Sequence, residues 1–250
     1  MNSKTYLDLA ANKLSLELSA QYGKIFEKRY GDGDFSKPAI YDSAGQYVRT
    51  IFDLHLKILS TFETLCTIPI YLNNLPRKAS MTKYELEKSQ YYKYHLENHI
   101  IRITTIFDQL VLLTNGLYEL GIDPKKCSAD IVFTNQHTQK SKEVELLKQL
   151  LKGINGVKGT RNLIIHRGEF NDKDLDDLVS RELFKRHSKI DDLESRDLKI
   201  YVILETYISR KYKSKKVTDI SANNKVVGQF LNTFFEVAHK TFVARLKLKE

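Results

Sequence analysis

Apolar residues recur every three or four positions along most of this chain. They do so between residues 41 and 75, and a longer pattern of the same kind runs from Ser80 or Thr82 to about Leu120. This period places apolar side chains on one face of an α-helix. Ser80 or Thr82 can cap the start of the second helix, and Gly121 predicts its end.

The rest of the chain gives the same pattern with less certain boundaries. Residues 4–30 fit an amphipathic helix, although "KLSLELS" within them alternates like a strand. Residues 30–38 contain two glycines, two aspartates and a proline, which predicts a break. Pro69 predicts a kink or an end in its helix. We therefore expect an N-terminal helical extension over residues 1–40 and a helical bundle domain over residues 41–250.

Composition supports an all-α fold. The chain of 250 residues has 11 glycines and 4 prolines, which leaves few residues for the turns of an all-β protein. A helix is expected from about Lys142 and another over the acidic stretch near residue 175, and the last third predicts two more amphipathic helices. The fold class is therefore an all-α bundle of about five to seven helices.

Charge and cysteine content narrow the function classes. Forty lysines and arginines against 31 acidic residues give a net charge of +9, which favours a polyanionic partner, nucleic acid above all. Cys66 and Cys127 are isolated, so neither a disulfide framework nor a structural zinc site is supported. The N-terminal residues lack an apolar signal-peptide core, and the most apolar later run is too short and polar to span a bilayer. We expect a cytoplasmic protein without a membrane partner.

Two groups of residues raise the question of a metal site. His95 and His99 are one helical turn apart, the spacing of a two-histidine metal face, but no third ligand is near, and an exposed polar face is favoured. The acidic stretch 172–178 is better explained as helix capping at a helix N-terminus. No metal and no cofactor is predicted.

The stretch "KGTRNLIIHRGEF" beginning at Lys158 has two interpretations. Glycines 153, 156 and 159 precede Arg161 without a strand or a Walker spacing, so they predict a break or bend in the helix from which Arg161 enters a new turn. In the simpler interpretation, His166 and Arg167 occupy the last turn of a helix and Gly168 follows it.

The alternative interpretation is an active site. On a helix, Asn162 and His166 lie one turn apart on the same face. Arg161 lies about 140° round the helix from His166, so only its long side chain, or a second copy of the motif, could bring a guanidinium beside the imidazole. An arginine that stabilises phosphoryl charge and a histidine that moves a proton suffice for RNA cleavage by the 2′-hydroxyl.

"RNLIIH", Arg161 to His166, resembles the R-x4-6-H signature of the HEPN superfamily, in which Asn, Asp or His typically follows the arginine. The resemblance implies an up-and-down bundle of long helices, a homodimer whose two motifs face one another across a cleft, and metal-independent endoribonuclease activity. It also implies a toxin–antitoxin or phage-defence role with an antitoxin or defence-system partner. Arg161, Asn162 and His166 would be the catalytic residues.

Two other matches to the spacing occur by chance. They run from Arg49 to His55 and from Arg181 to His187, and neither has Asn, Asp or His after its arginine. HEPN toxins that are inactivated by nucleotidyl transfer carry a tyrosine two residues after the histidine. Here that position is Gly168, so this mode of regulation is not implied.

RNA is the expected partner, and basic residues near the motif and in "RKYKSKK" are the expected contacts. Tyr207 and Tyr212 are interleaved with the latter and could stack on bases, although a solvated helix face explains the run as well. The predicted RNA-binding residues are Lys158, Arg167, Arg210, Lys211, Lys213, Lys215 and Lys216. Two alternatives to an endoribonuclease stay open: a non-catalytic HEPN-type module that binds nucleotide, RNA or a protein, and a helical interaction protein without a nucleic-acid role.

Overall fold

The computed structural model describes residues 8–31, 41–188 and 195–249, and all regular secondary structure in these ranges is helical. The helices of these ranges are α1 (Lys13–Tyr30), α2 (Ser43–Asn73), α3 (Lys78–Lys83), α4 (Lys88–Leu117), α5 (Ala129–Thr134), α6 (Lys142–Arg167), α7 (Lys173–Ser188) and α8 (Ser195–Leu246). Six of them have at least 16 residues. The all-α prediction is confirmed, and the strand-like "KLSLELS" lies within α1.

The helices form two compact units. Unit 1 comprises Met1–Thr64, Arg102–Asn155 and Lys225–Glu250, and unit 2 comprises Leu65–Ile101 and Gly156–Asn224. The four longest helices, α2, α4, α6 and α8, each supply residues to both units. The expected boundary near residue 40 stays a prediction, because residues 32–40 lie outside the described ranges.

Helix α1 is anchored in unit 1 by apolar and polar contacts. Leu14 and Leu18 are completely buried. The side chain of Asn12 accepts a hydrogen bond from the Leu14 amide, which caps the helix, and donates one of 2.7 Å to Oδ1 of Asn232. The cap satisfies an amide that the helix start leaves without a partner.

The start of α4 lies later in the chain than the sequence predicts. Helix α3 ends at Lys83, and Glu85 then takes a left-handed conformation with φ of 51°. At the observed start of α4, the amide of Ser89 has a partner from α7. The buried carboxylate of Glu182 accepts hydrogen bonds from the amide and the hydroxyl of Ser89. The expected Ser80 or Thr82 cap is therefore wrong, since the conformation of Glu85 interrupts the helix.

Pro69 does not end α2, which continues to Asn73. A proline has no N–H, so the carbonyl of Leu65 one turn earlier loses its helical hydrogen bond. In unit 2 the buried side chain of Asn224 supplies the missing donor at 2.9 Å, and its Oδ1 lies 3.1 Å from Nε2 of His99. A tertiary contact thus keeps the helix continuous past the proline.

The last third of the chain forms one helix, α8, where the sequence predicts two. It runs from Ser195 to Leu246 without interruption. The residues between the two predicted helices, 217–222, contain neither glycine nor proline and therefore no strong helix breaker. Asn224, just after this segment, is buried, which adds a tertiary reason for continuity.

Helix α4 is long and apolar enough to cross a membrane by length and composition, with a mean hydropathy of 1.3 in its most apolar window. Half of that window is buried inside the protein. Core helices of water-soluble proteins share this composition, so the helix is no more than weak support for a membrane span.

The glycines before the motif do not break their helix, contrary to the sequence prediction. Helix α6 is continuous from Lys142 to Arg167 and contains Gly153, Gly156 and Gly159. Burial of Val144 and Leu147 on the same helix contributes more than the cost of glycine in a helix, about 1 kcal/mol each.

Replacing Gly156 or Gly159 by alanine is expected to raise the free energy of unfolding by about 0.5–1 kcal/mol each, because no atom lies within 4 Å of the added Cβ. Urea denaturation measures the change. Gly168→Ala is the matched control with the opposite sign, because Gly168 has φ of +67°. A loss of stability in Gly159→Ala would contradict the open environment of this helix face.

Candidate active site

The predicted motif occupies the C-terminal turns of α6, within unit 2. Asn162 and His166 are exposed, and Arg161 is half-buried. After Arg167, Gly168 ends the helix with φ of +67°, and its amide donates to the Ile164 carbonyl at 3.0 Å. This is an αL C-cap. The helix-end interpretation is therefore right about local structure, and it leaves the polar side chains accessible.

The side chain of Arg161 reaches round the helix toward Asn162. Its Nη1 donates a hydrogen bond of 3.3 Å to Oδ1 of Asn162, the residue one turn before His166. The Nε of Arg161 is buried without a hydrogen-bond partner among the described residues. The guanidinium therefore turns toward the face that carries the imidazole, and its terminal amino groups, unlike the buried Nε, can still donate to an anion.

Further cations lie on the same helix. Lys158 is half-buried and lies one turn before Asn162, so Lys158, Asn162 and His166 form a row at four-residue spacing. Arg167 is exposed at the end of the helix. The C-terminal end of a helix carries partial negative charge, which would repel a phosphate. The positive charges of Lys158 and Arg167 offset this partial charge.

Two of the predicted RNA-binding lysines on α8 pair with the acidic start of α7. Lys215 Nζ lies 3.2 Å from Oδ2 of Asp174, and Lys216 Nζ lies 2.5 Å from Oδ2 of Asp172. Asp172 also accepts a hydrogen bond from the Leu175 amide, so it caps α7 as the sequence predicts. Both lysines thus have carboxylate partners in the protein.

The remaining predicted cations of α8 differ in environment. Arg210 and Lys211 are exposed, and Lys213 Nζ donates to the carbonyl of Asn73, at the end of α2, at 3.5 Å. These three are better available to a polyanion than Lys215 and Lys216.

The tyrosines interleaved with this basic run are not equivalent. Tyr212 is only 4% exposed, packs against Tyr92 and donates a hydrogen bond to Asp172, so stacking on bases by Tyr212 is excluded. Tyr207 is 62% exposed. Alternation in sequence does not place the two rings on one surface, because the residues are five apart on a helix.

The His95 and His99 side chains are both buried, so the expected exposed polar face is wrong. Each is packed against neighbouring helices of unit 2: His99 bonds Asn224 of α8, and His95 contacts Tyr71 of α2. Among the described residues, no three His, Cys, Asp or Glu side chains converge as a metal site would require.

A family model described as Cthe2314-like HEPN matches residues 59–237, which is 179 of the 250 residues. The match includes the whole of the Arg161–His166 motif. The chain belongs to the HEPN superfamily. No curated protein and no solved structure matches it.

The structure explains the departure of this HEPN protein from the nucleotidyl-acceptor pattern. The position two residues after the histidine is Gly168, whose left-handed conformation closes α6. A tyrosine there would be strained, because a side chain disfavours φ near +67°.

One feature of unit 2 was missed by sequence reasoning. Tyr71, Tyr91 and Tyr94 surround the ring of His95, with centroid distances of 5.3, 4.5 and 5.2 Å. The tyrosine-rich "YYKY" at residues 91–94 was the signal available in the sequence. Tyr71 comes from a different helix, and only the tertiary structure adds it.

Proposed function

We propose that this HEPN protein is a metal-independent endoribonuclease in which Arg161, Asn162 and His166 cleave RNA. It acts as a homodimer in the cytoplasm, as a toxin or phage-defence effector with an antitoxin or defence-system partner. The observation that carries the proposal is the group at the end of α6, in which the guanidinium of the half-buried Arg161 turns to the exposed Asn162, one turn from the exposed His166.

The chemistry follows from these side chains. His166 accepts the proton of an RNA 2′-hydroxyl, whose oxygen forms a bond to the adjacent phosphorus while the bond to the 5′-oxygen breaks. Arg161 donates hydrogen bonds to the non-bridging oxygens as negative charge develops on them. Asn162 positions the guanidinium. The products are a 2′,3′-cyclic phosphate and a 5′-hydroxyl, and His166 of the partner subunit donates the proton that the leaving oxygen needs.

An exposed apolar stripe on α8 supports the dimer. Ile200, Ile203, Leu204 and Tyr207 recur at the spacing of one helix face, and their exposed fractions lie between 44% and 67%. Exposed apolar residues at this spacing are typical of a surface that packs against another helix. A second copy that covers this stripe would also bring a second motif into the assembly.

Incubation of the purified protein with a labelled RNA in excess EDTA tests the proposal. We expect cleavage to persist, with fragments that end in a 2′,3′-cyclic phosphate and begin with a 5′-hydroxyl, since the 2′-hydroxyl is the nucleophile. An oligonucleotide with a single 2′-deoxy position is the control and should resist cleavage there. Intact RNA under all conditions, or cleavage that EDTA abolishes, would contradict the proposal.

The second candidate function is a non-catalytic HEPN module that binds RNA. One observation favours it: among the described residues, no hydrogen-bond partner orients the His166 imidazole. A catalytic histidine usually needs such a partner, so the endoribonuclease relies on the substrate or the second subunit to orient it. RNA binding without any cleavage would favour the module.

A further inference from the structure

Unit 2 carries a group of aromatic side chains that the catalytic proposal does not use. We call Tyr71, Tyr91, Tyr94 and His95 the aromatic cluster. The Tyr71 ring stacks on the imidazole with an interplanar angle of 23°, whereas Tyr91 and Tyr94 meet it edge-on, at 64° and 79°. The His95 ring thus contacts three tyrosine rings, one from α2 and two from α4.

One member of the cluster is buried, and two of its tyrosine rings are exposed to solvent. His95 is 8% exposed, and burial lowers its pKa, so the imidazole is neutral near pH 7 and packs as an aromatic ring. The Tyr91 hydroxyl donates to the carbonyl of Tyr71 at 3.2 Å, which ties α4 to the end of α2. In contrast, Tyr71 is 50% exposed and Tyr94 is 63% exposed. The Tyr71 and Tyr94 rings therefore pack against a buried histidine and are also exposed to solvent.

A lysine of α8 lies at the end of α2 that carries Tyr71. Lys213 contacts the carbonyl of Asn73, two residues after Tyr71, so an ammonium lies at the same end of α2. Lys93 precedes Tyr94 directly. Lys93 lies 3.8 Å from a carboxylate oxygen of Glu97, whereas Lys213 contacts a neutral carbonyl. Positive charge beside exposed aromatic rings is the combination found in single-strand binding surfaces.

We propose that the aromatic cluster binds single-stranded RNA by stacking unpaired bases on Tyr71 and Tyr94, with Lys213 beside the phosphate backbone. The proposal rests on the proposed function, because it names the part of the protein that holds the RNA substrate. It also specifies the substrate class, since bases in a duplex are already stacked and unavailable. Cleavage would then prefer single-stranded regions.

A nucleic-acid ligand fits the cluster better than an apolar peptide. The exposed rings are tyrosines, whose faces stack on any base and whose hydroxyls stay in water. The buried member is a neutral imidazole, and the Lys213 ammonium lies at the adjoining end of α2. A peptide groove would present aliphatic pockets, whereas this surface presents ring faces and an ammonium group.

The test measures binding of an RNA of about ten nucleotides, the size that single-strand sites cover. Full-length His166→Ala protein is the background, so that cleavage cannot consume the probe, and fluorescence anisotropy is the readout. Adding Tyr71→Ala and Tyr94→Ala should weaken binding by about ten-fold or more. Phenylalanine at both positions should retain binding, because stacking needs the ring and not the hydroxyl. Phe26→Ala, at a 50% exposed aromatic residue of unit 1, is the matched control and should have no effect.

A second probe separates stacking from charge. An abasic oligonucleotide with the same phosphates should bind the alanine variant and the background equally, while Lys213→Ala should weaken both probes. The protein has no tryptophan and 14 tyrosines, so RNA with bases should also quench tyrosine fluorescence, and less so in the alanine variant.

The inference would be overturned if the alanine variant and the background bound RNA with bases equally well. It would also be overturned if the alanine variant lost as much affinity for the abasic probe as for RNA with bases. Neither result depends on cleavage. If the wild-type protein cleaves RNA but the tyrosine variants bind normally, only this inference fails. If the tyrosines contribute to binding but the wild type never cleaves, only the catalytic proposal fails.

Discussion

Replacing His166 by alanine is expected to lower the rate of RNA cleavage by about 10²–10⁴-fold, the contribution of a general acid or base. The side chain is exposed, so its loss leaves the helix and the core intact. Replacing Arg161 by alanine should cost about 10²–10³-fold, because the developing phosphoryl charge loses its donor. Arg161→Lys should not restore the rate, since a lysine lacks the planar fork that holds both Asn162 and a phosphate.

The chain offers matched controls for both substitutions. His137 is an exposed histidine of unit 1, and His137→Ala should cleave at the wild-type rate. Arg49 begins one of the chance matches to the motif, but it pairs with Asp53 at 3.8 Å and its partner in that match, His55, is buried. Arg49→Ala should therefore also leave cleavage unchanged.

Single-turnover cleavage at saturating RNA measures these rates, with circular dichroism to verify folding. Undiminished cleavage in the double variant Arg161→Ala/His166→Ala would exclude the motif as the active site. A loss in Arg49→Ala equal to that in Arg161→Ala would indicate nonspecific damage to the fold. In cells, the growth inhibition expected of a toxin should disappear in His166→Ala and persist in His137→Ala.

Local pattern was sufficient to predict the fold class, and it also singled out one candidate motif. The helical period along the chain gave the all-α fold, and Asn162 distinguished Arg161–His166 from the two chance matches. The structure adds a contact of Asn162 that angular spacing could not predict. The 3.3 Å hydrogen bond to Asn162 turns the arginine toward the face of the histidine.

Several failures of sequence reasoning involve contacts between residues distant in the chain. Asn224 supplies a donor to a carbonyl 159 residues earlier, which lets α2 continue past Pro69. Glu182 caps a helix 93 residues earlier. Glycine propensity suggested a break in α6, but tertiary packing outweighed a local cost of about 1 kcal/mol per residue. The aromatic cluster likewise needs Tyr71 from another helix.

Acidification is expected to destabilise the protein between about pH 6.5 and pH 4 through two buried histidines. Burial lowers the pKa of His55 to about 4, and burial also lowers the pKa of His99 to about 4, against an ordinary value of 6.5. His55 bonds Ser15 at 2.8 Å and packs edge-on against Phe235. Among the residues that the structure describes, neither environment includes an acidic partner for a charged imidazole.

The direction in which pH changes the free energy of unfolding follows from proton binding. Below pH 6.5 the unfolded chain takes up protons on His55 and His99, while the folded protein stays neutral at both sites until about pH 4. The unfolded state is therefore favoured as the pH falls. Their stabilising contribution is complete above pH 6.5 and is lost toward pH 4. One pKa unit corresponds to about 1.4 kcal/mol, so at about pH 5 each histidine should cost about 2 kcal/mol.

Urea denaturation at about pH 7.5 and about pH 5 measures the loss in the wild type, His55→Gln, His99→Gln and the control His137→Gln. Glutamine does not titrate and keeps a hydrogen-bonding group. The two buried-site variants start less stable at the higher pH, but each should lose about 2 kcal/mol less than the wild type on acidification. The exposed control should follow the wild type. Two results would contradict this prediction: equal losses of stability in all four proteins, or imidazole NMR resonances of His55 and His99 that titrate near pH 6.5. Either result would show that these side chains take up protons in the folded state. The acid sensitivity would then come from other groups.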